Sequence, residues 1–387
     1  MRYLSKSLNY ILVTGCLAGL VFALSAYIYN QNAHYQSELK AWPPAEFFAK
    51  PVLWKPDNPK VVRVLTIDGG ALHGLASLEV LKGLEEESGR PISDLFDFIA
   101  GTSTGAIIAT TILMPNADGK PKYSVDEVIG LYRDLSEQIM DVPFYHTALT
   151  LNGLLGPRLF NHTRFLTADN IYENKKFGEL LRPAMIPVFS QDRSAVQLFF
   201  NVLEPDANLF LGPIVSAATS FPSFFPAVQL SGYNEHAGIY ADGGLVLNDP
   251  SLVAYLRAVE RSKDAEFIVV SIGGNAMQSV SAEESVEGGF LAWLHPIFSM
   301  VFRGQAEINT DSLSVLENIG SPTRLKSFRL EPRLSANWHA FDSSKENITR
   351  ISNAGVDYVN RNKQTIAEIA ELLTRDQADK SANVGEK

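Results

Sequence analysis

The chain has 387 residues, 46% hydrophobic and 20% charged, a globular composition with room for one large α/β domain or two smaller ones. Its net charge of −10 and isoelectric point near 5.3, without Lys/Arg clusters, exclude a nucleic-acid binder. The lone cysteine, Cys16, excludes an internal disulfide, a cysteine-ligated metal site and a catalytic thiol in the folded body.

The first element is apolar. Leu8 to Tyr29 carries no charge and is long enough to cross a hydrocarbon core as a helix. Arg2 and Lys6 precede it and no Lys or Arg follows closely, so the positive-inside rule predicts a cytoplasmic segment 1–7 and a single-pass anchor over 8–29. The body then lies on the periplasmic or extracytoplasmic side. A cleaved signal peptide, or lipidation at Cys16, is the competing reading. Residues 30–60 are Pro-rich and read as a linker, and the polar tail 376–387 reads as disordered.

The body, 61–375, reads as one α/β domain. A β-branched strand, Val61 to Ile67, runs into the turn Asp68-Gly69-Gly70-Ala71-Leu72-His73-Gly74 and then a helix with Leu75, Leu78, Leu81 and Leu84 on one side. A second strand ends at Gly101-Thr102-Ser103-Thr104-Gly105, and a second helix starts at once. Two strand–turn–helix units in series imply a mainly parallel sheet with helices on both faces. Ser124 with Glu127 forms a capping box for the next helix. Strands follow at 184–190 and 195–202, a short helix at 212–221, a strand ending at Asp242-Gly243-Gly244, a helix from Asp249 and a strand at 266–274. The remainder is mainly helical to Arg375, apart from a short strand near 324–331.

Three of these turns carry chemistry. G-x-S-x-G alone is a weak signal, but between a strand and a helix it is the setting of a nucleophile elbow, with Ser103 projecting from the turn. Gly101 and Gly105 permit the close approach of strand and helix. The bland alternative is that Ser103 merely caps the helix. The N–H groups of Gly69, Gly70 and Ala71 offer an oxyanion site, and the loop lacks the middle glycine of a dinucleotide fingerprint. Of the seven histidines, His34 is in the linker, His73 is in the glycine turn, and His146, His162, His236, His295 and His339 have no evident strand-end placement, whereas Asp242 does. Aspartate is a weak base unless desolvated.

Together these residues resemble the patatin-like phospholipases, whose pattern is an Asp-Gly-Gly-Gly-x-Arg-Gly loop, a G-x-S-x-G nucleophile and a later Asp-Gly-Gly or Asp-Gly-Ala. The resemblance implies a three-layer α/β/α fold and a Ser–Asp dyad without histidine. Ser103 falls on the nucleophile, Asp242 on its base, and Gly69, Gly70 and Ala71 on the oxyanion loop. Gly74, Gly101, Gly105, Gly243 and Gly244 fall on the motif glycines. The stretch Ser216 to Val228, Asn248-Asp249-Pro250 and the helical segment from Gly288 to Leu313 also look like that family, the last like its bacterial members. It implies a lipid acyl hydrolase of phospholipase A or lysophospholipase type, with membrane lipids as partners and no metal or other cofactor. Two positions depart from the pattern. Ala71 stands for the third loop glycine, where its N–H remains useful if the local φ is negative. His73 stands for the arginine, which weakens the positive field near the site.

Two other readings compete: an α/β-hydrolase with a Ser-His-Asp triad, and a non-catalytic lipid-binding protein. Against the triad, Ser103 follows only one strand and its helix, where such folds place the elbow after several strands. Last, Phe290, Leu291, Trp293, Leu294, Ile297, Phe298, Val301 and Phe302 sit at near-helical spacing. They read as a helix packed on the sheet or as the wall of an acyl route.

Overall fold

The computed structural model of the chain describes residues 59–230, 236–274, 290–319, 324–335 and 339–375. Among them, eight strands form one sheet: β1 (Val61–Ile67), β2 (Phe98–Gly101), β3 (Ala184–Ser190), β4 (Ala195–Phe200), β5 (Val228–Leu230), β6 (Gly238–Asp242), β7 (Glu266–Ile272) and β8 (Leu325–Leu330). Their order is β5-β6-β3-β2-β1-β7-β8, with β4 on β3. The pairs β3–β2, β2–β1, β1–β7 and β7–β8 are parallel. The pairs involving β4, β5 and β6 are antiparallel. The sheet is therefore mixed, parallel from β3 out to the β8 edge and antiparallel where β4, β5 and β6 join it.

The helices used below are α1 (Gly74–Ser88), α2 (Thr104–Ile112), α3 (Val125–Met140), α4 (Phe144–Leu149), α5 (Asn161–Tyr172), α6 (Leu211–Ala218), α7 (Ser251–Arg261), α8 (Phe290–Asn318), α9 (Lys345–Arg361) and α10 (Lys363–Thr374). Both halves of the capping box at α3 form. Pro250 precedes α7 as its cap residue rather than occupying its first turn.

Strand β1 shows why the layers form. Its side chains alternate between faces, and both faces are apolar. Leu65 and Ile67 join a large core with α1, α2, α3, α6, α9 and α10. Val62 and Val64 join a smaller core with Ala254, Tyr255 and Ala258 of α7 and Leu313 of α8. The result is helix–sheet–helix layering.

The expected linker and tail fall outside the described residues, as does the apolar run 8–29. Among the described residues, no helix is long and apolar enough to cross a membrane. The expected localisation, a single-pass anchor with the body on the far side, is therefore not supported by any described helix.

Candidate active site

Ser103 sits between β2 and α2 with φ 53° and ψ −118°, a conformation that costs a non-glycine residue roughly 1–3 kcal/mol. Its side chain makes no cap hydrogen bond to α2, which removes the helix-cap reading. The elbow is held by close packing. A Cβ on Gly101 would collide with the Gly105 carbonyl, and one on Gly105 with the Ile67 carbonyl at the end of β1. Gly74 heads α1 against Thr104 in the same way, where a Cβ would lie 2.7 Å from the Thr104 hydroxyl.

Asp242 reaches this elbow by an arrangement that a parallel sheet would not give. Strand β2 pairs with Ala184 and Met185 of β3, and β6 pairs with Val188, Phe189 and Ser190. Because β4 occupies the other edge of β3 over 185–190, β2 and β6 share one edge. They run in opposite directions along it, so their carboxyl ends meet head to head. Gly243 closes that junction: a Cβ there would lie 2.6 Å from the Pro187 carbonyl oxygen. The Ser103 hydroxyl donates to Asp242 Oδ2 at 2.5 Å, and the Gly244 N–H donates to Oδ1 at 2.7 Å. Asp242 is fully buried. Burial pushes its carboxyl up to about 6, while the Ser103 and Gly244 hydrogen bonds and the Arg164 charge pull it down.

The Asp68–Gly74 loop is pinned from both sides. The Gly69 N–H donates to the Asn248 carbonyl at 3.2 Å, so it is engaged and is no longer an oxyanion donor as expected. Gly70 and Ala71 line the cavity beside Ser103, and among the described residues their N–H groups make no backbone hydrogen bond. Ala71 has φ 48° rather than the negative value set as a condition, yet the residue still lines the cavity beside Ser103. The loop keeps the left-handed turn that the missing glycine would adopt freely. Tyr132 of α3 donates its hydroxyl to the Ala71 carbonyl at 2.8 Å and also contacts the Thr104 hydroxyl. His73 is buried and also lines the cavity.

Sequence reasoning missed Arg164 of α5. It is buried and forms no ion pair within 4 Å among the described residues. Its guanidinium donates instead to the Thr219 carbonyl at 2.8 Å, Asn161 Oδ1 at 2.6 Å and Ser220 Oγ at 3.0 Å. The Ser220 carbonyl in turn accepts from the Asp242 N–H at 3.0 Å. Burial pushes Arg164 down to about 9, and Asp242 pulls it the other way, so it is a cation at neutral pH. No motif announces this residue. Its only sequence cue is the i, i+3 spacing to Asn161 on one helix.

The elbow opens into a cavity of about 710 Å³, within the range of ligand pockets. Its walls include Leu131, Leu135 and Ile139 of α3 and Phe298 and Phe302 of α8. Phe221 packs against both of these phenylalanines at ring centroid distances of 5.4 and 6.0 Å. The helix expected over 290–302 therefore supplies cavity wall. The side chains of Phe290, Leu291 and Leu294 lie outside the described residues. Among the described residues, no His/Cys/Asp/Glu cluster could hold a metal ion.

A strand–helix elbow on an α/β sheet, opening into a largely apolar cavity, fits the class of α/β ester hydrolases. Residues 65–255 match the patatin-like phospholipase family, and the chain carries a patatin-like phospholipase domain with that α/β fold. It is similar to patatin-like protein 2 of Oryza sativa subsp. indica, 26% identical over 300 residues covering 67% of this chain and 74% of the relative. It is also similar to the calcium-independent phospholipase A2-gamma of Mus musculus, 23% identical over 341 residues, with 81% of this chain covering 40% of that longer protein. Among solved structures, the human GIVD cytosolic phospholipase A2 aligns with 10% identity and a TM-score of 0.43, over 81% of this chain and 61% of that one. The protein is a lipid acyl hydrolase.

Proposed function

We propose that the protein cleaves acyl esters of phospholipids or lysophospholipids through a Ser103–Asp242 dyad. One observation carries this reading: the 2.5 Å hydrogen bond from a strained, cavity-facing serine to a fully buried carboxylate. Ser103 Oγ attacks the ester carbonyl carbon while its proton passes to Asp242 Oδ2. The carbonyl oxygen takes the negative charge and is met by the Gly70 and Ala71 N–H groups. Collapse breaks the bond to the alkoxy oxygen, which leaves with the proton from Asp242. Water then attacks the acyl-Ser103 ester, gives its proton to Asp242 and releases the fatty acid, and the proton returns to Ser103. The raised Asp242 carboxyl is the better base for it, since desolvation moves an acid too strong to accept protons toward working pH. The acyl chain fits the apolar wall of the cavity.

The test is Ser103→Ala in the full chain, assayed on phospholipid and on a short soluble ester, with fluorophosphonate labelling of the parent. Turnover and labelling should both vanish with folding intact. Parent-level turnover in Ser103→Ala overturns the mechanism. Loss of all turnover in His339→Ala, whose ring also borders the cavity, would replace the dyad with a triad.

A further inference from the structure

Helix α4 and the turn after it display an unusual surface. Phe144 is 86% exposed and Leu155 71%, and Tyr145, Leu151 and Leu154 are each more than half exposed. Isolated exposed apolar residues need no explanation, but five bulky ones within twelve positions do.

This display is built rather than loose. Leu151, Asn152 and Gly153 all have positive φ, at 46°, 55° and 98°. The reversal is closed by the Asn152 N–H on the Thr147 carbonyl at 2.8 Å and the Leu155 N–H on the Thr150 carbonyl at 2.9 Å. Beneath it, the His146 ring bonds the Pro157 carbonyl at 3.0 Å and packs on Phe160 at 4.1 Å between centroids. Burial pushes His146 down, which keeps this strut neutral at physiological pH. Leu151 to Leu155 are thus held outward, against the hydrophobic effect, by a bonded backbone reversal.

Two further observations say what covers this surface. Asn152 and Arg158, from the same segment, line the cavity that holds Ser103, so the patch borders its mouth. In a chain of net charge −10, Val142 to Ala168 contains no Asp or Glu, and the half-buried Arg158 forms no ion pair among the described residues. An apolar rim without acid groups, carrying a cation, complements an anionic lipid surface.

We propose that Phe144–Leu155 is a docking surface that seats the cavity mouth on an anionic lipid aggregate, so that an acyl ester enters without crossing water. This rests on the lipid-ester reading of the site.

The experiment uses the full chain with Cys16→Ser and Ser103→Ala, which prevents hydrolysis. An environment-sensitive nitrobenzoxadiazole probe is placed at Leu155→Cys or, as control, at Leu256→Cys, an exposed position on α7 across the sheet. Added phosphatidylcholine–phosphatidylglycerol vesicles should brighten the Leu155 probe several-fold and leave the Leu256 probe unchanged. In the active chain, Phe144→Ser with Leu155→Ser should raise apparent KM on those vesicles at least about tenfold, with kcat/KM on a short soluble ester and the melting temperature unchanged. Equal responses from the two probes, or brightening that follows protein concentration without vesicles, overturn the proposal; the latter would make the patch a contact between copies. Because probe response needs no turnover, and the soluble ester needs no docking, failure of this proposal is separable from failure of the hydrolytic one.

Discussion

Asp-Gly-Gly occurs at two strand ends, at Asp68 after β1 and at Asp242 closing β6, and the two carboxylates meet opposite surroundings. Both are buried. Asp68 is gripped by Arg329 of β8 through two bonds, at 3.0 and 2.6 Å, with Asp249 3.8 Å from the same guanidinium. Asp242 has no cation in contact; its partners are a hydroxyl and a backbone N–H. In both cases burial pushes the carboxyl up, but only Asp68 has a bidentate arginine opposing it. The same tripeptide thus makes a structural clasp where a guanidinium neutralises it, and a proton acceptor where the fold withholds one. Reactivity is set by what the third dimension brings to the turn.

The sharpest way to break this comparison is to neutralise each carboxylate in turn. Asp242→Asn should cut kcat/KM by about 10³ or more, as loss of a general base does. It should also raise the melting temperature. A carboxyl whose folded value is about 6, against 3.8 unfolded, destabilises the fold when ionised, so stability falls as pH rises from about 4 to 6. The asparagine removes that loss at pH 7. Asp68→Asn should do the reverse, keeping measurable turnover while losing about 3 kcal/mol of stability, because Arg329 is left with an incomplete partner set. Equal effects of the two substitutions on rate and melting would end the distinction.

Arg329→Met attacks the clasp from its other side. It leaves Asp68 and Asp249 buried without their cation, a loss of about 3–5 kcal/mol at pH 8. Burial favours the protonated forms of both carboxyls, so part of that loss should return as pH falls to 5. Urea unfolding at the two pH values reads this directly. Pairing of another cation with Asp68 would show as a pH-independent loss.

A smaller effect is expected at Asp242 from Arg164. The acid limb of kcat/KM should fall near pH 6, since Asp242 must be ionised to accept the Ser103 proton. Arg164→Gln removes the one charge that favours the ionised form, so the limb should move up by up to about one unit. A purely structural role for Arg164 would lower the rate at every pH and leave the limb in place.

These partners explain what the sequence made legible. Ser103 was readable because its turn is local: strand, two glycines and helix lie within a few residues. Asp242 was a weak candidate on its strand-end placement, which Asp68 shares, and the family pattern singled it out. Arg329 and Arg164 were not readable at all. They lie 261 residues from Asp68 and 78 from Asp242 in the chain, at distances only the fold closes. The head-to-head meeting of β2 and β6 was hidden for a related reason. Both strands show ordinary alternation, and direction is decided by which edge of β3 remains free. The expected anchor rested on a run outside the described residues, and no described helix supports it.

The two turns also differ in backbone handedness, and this yields the smallest prediction. At the later turn Gly243 is right-handed, with φ −70°, and Gly244 begins a helical turn. At the earlier one Ala71 is left-handed, with φ 48°. An alanine there carries a strain of about 1 kcal/mol that a glycine does not. Its carbonyl is held by Tyr132 and its neighbour Leu72 donates to the Ala340 carbonyl at 3.0 Å, so the loop has no room to relax toward negative φ. Ala71→Gly should therefore stabilise the fold by no more than about 0.5 kcal/mol, net of the extra freedom of glycine in the unfolded chain. The effect on kcat should be less than about threefold, because the N–H position is already fixed. Tyr132→Phe removes the hold on the Ala71 carbonyl and should erase most of that gain, since a freed loop lets alanine escape its strain. A double-mutant cycle on melting temperature measures this coupling. Strict additivity would mean that the left-handed turn is set by the Leu72 bond and by the His73 N–H, which donates to the Gly70 carbonyl at 3.0 Å.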